Sequence, residues 1–146
     1  MSEHAASGKL VWGVKASFRE YVRHAEGQIR LEGGAEQVDD VFAFAPAGEE
    51  LKFTGAVHFD AHGGMLKVAV IDPWIELEPD GSASLTVADP QRDRRVKVAD
   101  LGEISPAGEG TAQAPAFLTM DGVWLLGNVY APRAEIDPVV FPWKGE

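Results

Sequence analysis

The sequence predicts a mainly antiparallel β fold, a sandwich or barrel-like sheet with one or two short α-helices. Most apolar runs are short and alternate with period two, the sign of half-buried strands. Turn-forming residues separate them at roughly 8–12-residue spacing, as in all-β domains. The 16 glycines and 9 prolines in 146 residues exceed average usage but fall well short of low complexity, so the excess is turn chemistry. Taken in order, residues 10–14, 28–31, 41–45, 51–59, 65–71, 74–77, 83–87, 95–98, 117–120 and 123–126 each fit the strand pattern. Gly33-Gly34, Pro46-Ala47-Gly48, Gly63-Gly64, Asp72-Pro73, Pro79-Asp80-Gly81 and Asp89-Pro90 punctuate them. Asp121-Gly122 is expected to close a two-residue hairpin, because both residue types tolerate the positive φ angles such turns need.

One segment departs from this period. Ser17-Phe18-Arg19-Glu20-Tyr21-Val22-Arg23-His24 carries the Ser-x-x-Glu spacing of a capping box, and Gly27 follows as a stop, so a helix of two to three turns is predicted. Ser17 would cap its first amides and Glu20 would reach back. Ser17 and Tyr21 lie one turn apart and share a face.

Composition narrows the chemistry. The 13 Lys and Arg against 23 Asp and Glu give a formal charge of −10, which argues against nucleic acid or an anionic membrane as partner. With no cysteine, disulfides, iron–sulfur clusters, thiolate nucleophiles and Cys-ligated zinc or haem are all excluded. No apolar run approaches the ~18 residues of a membrane span, so no membrane insertion is expected. The first residues have neither a basic nor an apolar leader region, and the chain as written is expected to be cytoplasmic. A domain trimmed from an exported protein would read the same and would be extracellular or on the cell surface. We expect a flexible N-terminus over residues 1–9 and a single domain over 10–143.

Four histidines and two tyrosines bound the candidate site. His4 falls in the N-terminal tail and His24 in the last helical turn, where a cation suits the helix dipole. Tyr130 is expected to pack near the C-terminal hairpin. In the stretch 53–64, Phe53, Val57 and Phe59 alternate on one face. His58, Asp60 and His62 would share the other if the strand ran straight. Two imidazoles and a carboxylate could make a non-haem metal site and a metal-dependent enzyme. Same-face strand neighbours are ~6.7 Å apart, however, and the two glycines after His62 imply that the strand has turned. A Ser17–His62–Asp hydrolase triad lacks the Gly-x-Ser-x-Gly elbow. A cofactor-free interaction module is the remaining alternative.

Three separated motifs carry a resemblance. Leu10-Val-Trp12-Gly13-Val-Lys15-Ala-Ser17-Phe18-Arg-Glu-Tyr21-Val opens the chain, and Gly55-x-Val57-x-Phe59-x-x-His62-Gly63 lies in its middle. Leu118-Thr119, Gly122, Gly127-Asn-Val-Tyr130-Ala-Pro and Ile136-Asp137-Pro138 close it. Together they resemble the HtaA-type haem-binding domain of actinobacterial haem-uptake proteins, over roughly residues 10–140. The resemblance implies a mostly antiparallel β fold that binds ferric haem b without catalysis, for transport, transfer or sequestration. It implies Tyr21 as axial ligand to the haem iron, His62 supporting that tyrosine and Ser17 near a propionate. A haem donor or acceptor protein would then be a partner.

The chemistry of these residue types agrees. A phenol ionises near pH 10 in water, so it ligates Fe(III) at neutral pH only if something stabilises the phenolate. The iron supplies part of that and a donated imidazole N–H supplies more. His62 can be this donor or a second ligand. A hard anionic oxygen prefers ferric to ferrous iron, which suits carriage and release on reduction. Ser17 and the first helical amides could face the anionic propionates, with Arg19 or Arg23 neutralising one of them. Phe18 could pack on the porphyrin or in the core. The acidic balance does not forbid a dianionic ligand, because exposed charges beyond ~8 Å are largely screened.

Overall fold

Alternating strands place their apolar side chains on a shared inner face, and the computed structural model, which describes residues 8–108 and 110–143, shows two sheets closed over that face. His4 and most of the tail expected over residues 1–9 lie outside the described residues. In chain order the elements are β1 (Leu10–Trp12), α1 (Ala16–His24), β2 (Gln28–Glu32), β3 (Glu36–Val38), β4 (Val41–Pro46), β5 (Phe53–Thr54) and β6 (Ala56–Ala61). A single 3-10 turn (His62–Gly64) leads into β7 (Leu66–Ile71), β8 (Trp74–Leu77), β9 (Ala83–Asp89), β10 (Arg94–Leu101) and β11 (Ser105–Gly108). β12 (Thr111–Leu118), α2 (Met120–Leu125) and β13 (Glu135–Pro142) complete the described chain.

Every strand pairing is antiparallel. The larger sheet runs β3-β4-β1-β13-β12-β10-β9-β8, with β5 added on β4 and β11 on β12, and it does not close into a barrel. The smaller sheet is β2-β6-β7. The mainly-β, sandwich-like class expected from the periodicity is the class observed.

Phe59 of β6 lies at the centre of the packing. The Phe18 ring of α1 meets it edge-on with centroids 5.1 Å apart, and the Phe42 ring of β4 does so at 5.7 Å. Helix, small sheet and large sheet are thus joined through three fully buried aromatic rings. Each such side chain contributes about 1.5–3 kcal/mol through burial. Phe18 is a core residue, which resolves the alternative left open by its sequence.

Several expected elements are corrected. The strand expected over 51–59 is broken. Leu51 and Gly55 have positive φ (65° and 128°), and Asp72 Oδ1 accepts the Gly55 N–H at 3.0 Å, so β5 and β6 are separate. The hairpin expected at Asp121-Gly122 is the first turn of α2. Thr119 Oγ1 accepts the Gly122 N–H at 3.0 Å and donates to backbone carbonyls of β10, so strand β12 ends at a helix cap. Gly122 is required there for a different reason than a turn, since a Cβ would stand 2.1 Å from Val98 O. β13, between β1 and β12 in the large sheet, was not expected at all. Its Asp137-Pro138 pair interrupts the alternation, and Pro115 does the same in β12. Both fall where the β12–β13 register jumps from Ala114↔Val139 to Ala116↔Ile136. That jump is a β-bulge, one of the few places in a central strand where proline is tolerated.

Candidate functional site

α1 buries Phe18 and Val22 against the core, and this fixes which residues face outward. Ser17 and Tyr21 lie on its exposed side, with Tyr21 44% exposed. The capping box is not formed. Lys15, extended at φ −161°, occupies the N-cap position without a side-chain cap, and Ser17 is the second residue of the helix. Glu20 instead pairs with Arg23 at 2.7 Å and His24 at 3.2 Å, the i,i+3 and i,i+4 partners available on an exposed helix face.

His62 reaches Tyr21 because the chain turns left-handed as β6 ends. His62, Gly63 and Gly64 have consecutive φ values of 56°, 65° and 94°. Two glycines accept this conformation freely, and His is among the few other residue types enriched there. The Met65 N–H closes the turn on His62 O at 3.1 Å. The imidazole thereby leaves the His58/Asp60 face and lies 2.5 Å by Nε2 from Tyr21 Oη, with the ring centroids 5.5 Å apart. The phenol can donate to Nε2, or Nε2–H can donate to a phenolate. One geometry serves both protonation states.

The other end of the α1 face meets the loop after α2. Ser17 Oγ and Tyr130 Oη are 3.4 Å apart, at the long limit of a hydrogen bond. Lys15 Nζ lies 5.4 Å from the centroid of the Tyr130 ring and donates to Glu135 O at 2.9 Å. Tyr130 does pack against the core, but its hydroxyl belongs to this face. Leu66 lies against Gly127, so the start of β7 and the loop leading to Tyr130 are neighbours. Large apolar side chains flank both loops without cover. Met65 beside the His62 turn is 89% exposed and Val129 beside Tyr130 is 64% exposed.

The structure does not bring the remaining candidates to this face. Arg19 is only 11% exposed, and its Nη1 donates to Gly13 O and Asp137 Oδ2, each at 2.7 Å. Arg23 is engaged by Glu20. His58 and Asp60 line a separate cleft of about 500 Å³ with Arg30, Lys67 and Trp124. The proposed His58–Asp60–His62 metal triad is therefore corrected: the left-handed turn separates His62 from the other two. Among the described residues no three His, Asp or Glu side chains converge as metal ligands. A second cleft, about 870 Å³ and lined by Leu51, Phe53, Ile104, Pro106 and Trp143, shares no residue with the Tyr21 face.

Tyr130 and Lys15 lie on this face without having been expected there. Both stand inside the quoted motifs, next to residues already singled out, and that proximity was the available signal.

A sandwich-like antiparallel β domain that presents a tyrosine from a short helix to a histidine in a left-handed turn is the class defined by fold and geometry. The chain belongs to the HtaA family, whose model matches residues 7–142. Among solved structures, the N-terminal domain of HtaA from Corynebacterium glutamicum is similar at 24% identity and TM-score 0.72, covering 97% of this chain and 99% of that one. The C-terminal domain of the same HtaA is similar at 26% identity and TM-score 0.66, covering 92% and 93%. Heme binding protein HtaB of that organism is similar at 17% identity and TM-score 0.69, covering 92% and 91%. The N-terminal HtaA domain and HtaB support the fold alone. No curated protein sequence matches the chain. No helix among the described residues is long and apolar enough to cross a membrane.

Proposed function

We propose that this domain binds ferric haem b and carries it or passes it to or from a partner protein, without catalysis. The observation that carries this reading is the 2.5 Å contact between Tyr21 Oη and His62 Nε2 on an exposed face. Membership of the HtaA family supports haem as the ligand class. When bound, ferric haem supplies a Lewis-acidic iron that accepts an anionic oxygen.

Each residue then has a distinct task. Tyr21 offers its phenol oxygen, and His62 takes the phenol proton and returns it as an N–H hydrogen bond to that oxygen. Ser17 and Tyr130 present two hydroxyls to a propionate carboxylate, and Lys15, close to Tyr130, replaces the expected Arg19 or Arg23 as its cation. Met65 and Val129 give apolar surface for the porphyrin edge. Phe18 acts from the core by setting the angle of α1, and Arg19 acts through its bonds to Gly13 and Asp137.

Hemin added to the purified apoprotein tests this reading. Wild-type protein should give a saturable one-to-one spectrum with a high-spin ferric tyrosinate band. Absence of any spectral change at stoichiometric hemin would remove the function. For His62→Ala we expect a circular dichroism spectrum like wild type and hemin loss to an apo-globin acceptor faster by about tenfold or more, the worth of one charge-assisted hydrogen bond. Equal loss rates would withdraw the assigned role of His62.

A further inference from the structure

We propose that Asp137 is a positioning residue for the Tyr21 helix, an inference that rests on the haem-binding reading above. α1 has no side-chain cap of its own. Its first amide, Ala16 N–H, is instead accepted by Asp137 Oδ1 at 3.1 Å, from a residue 121 positions away in sequence. Asp137 Oδ2 accepts Arg19 Nη1 at 2.7 Å from the second turn of the same helix. Its backbone N–H donates to Val14 O at 3.0 Å, and its carbonyl accepts Trp12 Nε1 at 2.9 Å. All four polar groups of this one residue are spent on the segment from Trp12 to Arg19.

The surroundings are shaped to that end. Asp137 and Pro138 together oppose Pro115 at the β12–β13 bulge, and a bulge is a device that re-aims a side chain out of a regular strand. Gly13 leaves room for the ion pair, since a Cβ there would stand 2.4 Å from Arg19 Nη1 and 2.5 Å from Asp137 Oδ2. Val14, a buried β-branched residue, is held at φ 68°, a conformation that persists only when its neighbours enforce it. The Asp137 N–H to Val14 O bond is part of that enforcement. The corner between β1 and α1 thus sets both the axial position and the rotation of α1. The rotation decides whether Tyr21 meets His62 and Ser17 meets Tyr130.

The test uses Asp137→Asn, which keeps size and one acceptor oxygen but turns an amide N–H₂ towards either Ala16 N–H or Arg19. Val87→Ala, a core change in β9 away from α1, serves as a general destabilisation control. Two readouts are compared: the nuclear Overhauser contact between the Tyr21 and His62 rings in the apoprotein, and the rate of hemin loss to an apo-globin acceptor. We expect Asp137→Asn to weaken the ring contact and speed hemin loss about tenfold or more, a loss of the order of one cap plus one charged hydrogen bond. Val87→Ala should leave both unchanged. Wild-type values for both readouts in Asp137→Asn would overturn the proposal, as would equal changes in Asp137→Asn and Val87→Ala. If wild-type protein bound no hemin while Asp137→Asn still lost the ring contact, the haem reading would fall and the positioning role would stand.

Discussion

The two helices begin in opposite ways. α2 is capped by the residue just before it, since Thr119 accepts the Gly122 N–H, and Asp121 adds a negative charge to its first turn. α1 has Lys15 at that position, no acidic residue in its first turn, and a cap supplied from β13. The first amides of α2 are therefore capped by a residue next to it in sequence and those of α1 by a residue remote in the chain. The helix that carries Tyr21 is the one whose placement depends on the rest of the fold, which is where positional precision is needed.

The largest effect that separates the two helices is in the core. Phe18→Ala should cost about 3–5 kcal/mol in urea denaturation, because it empties the edge-on contact with Phe59 and undocks α1 from both sheets. A loss below about 1 kcal/mol would mean that α1 is not anchored through Phe18. Next come the caps. Asp137→Ala should cost about 1.5–3 kcal/mol, since it leaves the largely buried Arg19 without its carboxylate and Ala16 N–H without an acceptor. Thr119→Ala should cost about 1 kcal/mol, the usual worth of a local cap. Reversal of that order would contradict the contrast between remote and local specification. The smallest effect is expected for Glu20→Ala, which removes exposed pairs with Arg23 and His24 and should cost no more than about 0.5 kcal/mol, less in high salt. A cost near 2 kcal/mol would show that Glu20 does more than pair on the surface.

These contrasts also mark what was legible in the sequence. Period-two alternation identified β6 and β7, and the His62-Gly63-Gly64 string indicated that the strand had turned. The extent of the helix over Ser17 to His24 was legible, but its end signals were not: the capping box is not formed, Glu26 (φ 56°) and not Gly27 takes the left-handed position after it, and its cap comes from Asp137, which is local to it only in three dimensions. α2 was misread because Asp121-Gly122 suits a hairpin as well as a first helical turn, and only the approach to Val98 O distinguishes them. β13 escaped because the bulge at Asp137-Pro138 breaks its alternation. The same bulge delivers the carboxylate to α1, so the irregularity that hid the strand is the feature that positions the site. Tyr21 and His62 were readable as a pair through the family motifs, while Tyr130 and Lys15 became members of the face only once the loop after α2 lay beside Ser17.

In the proposed function the Tyr21 oxygen binds ferric iron, and resonance Raman spectroscopy of the hemin-loaded protein, excited in its charge-transfer band, addresses that bond directly. Iron-bound phenolate modes should be present in wild-type protein and absent in Tyr21→Phe, with the fold of the variant unchanged by circular dichroism. The same phenolate modes in Tyr21→Phe, or hemin bound by wild-type protein with imidazole ligation and no phenolate modes, would contradict the account.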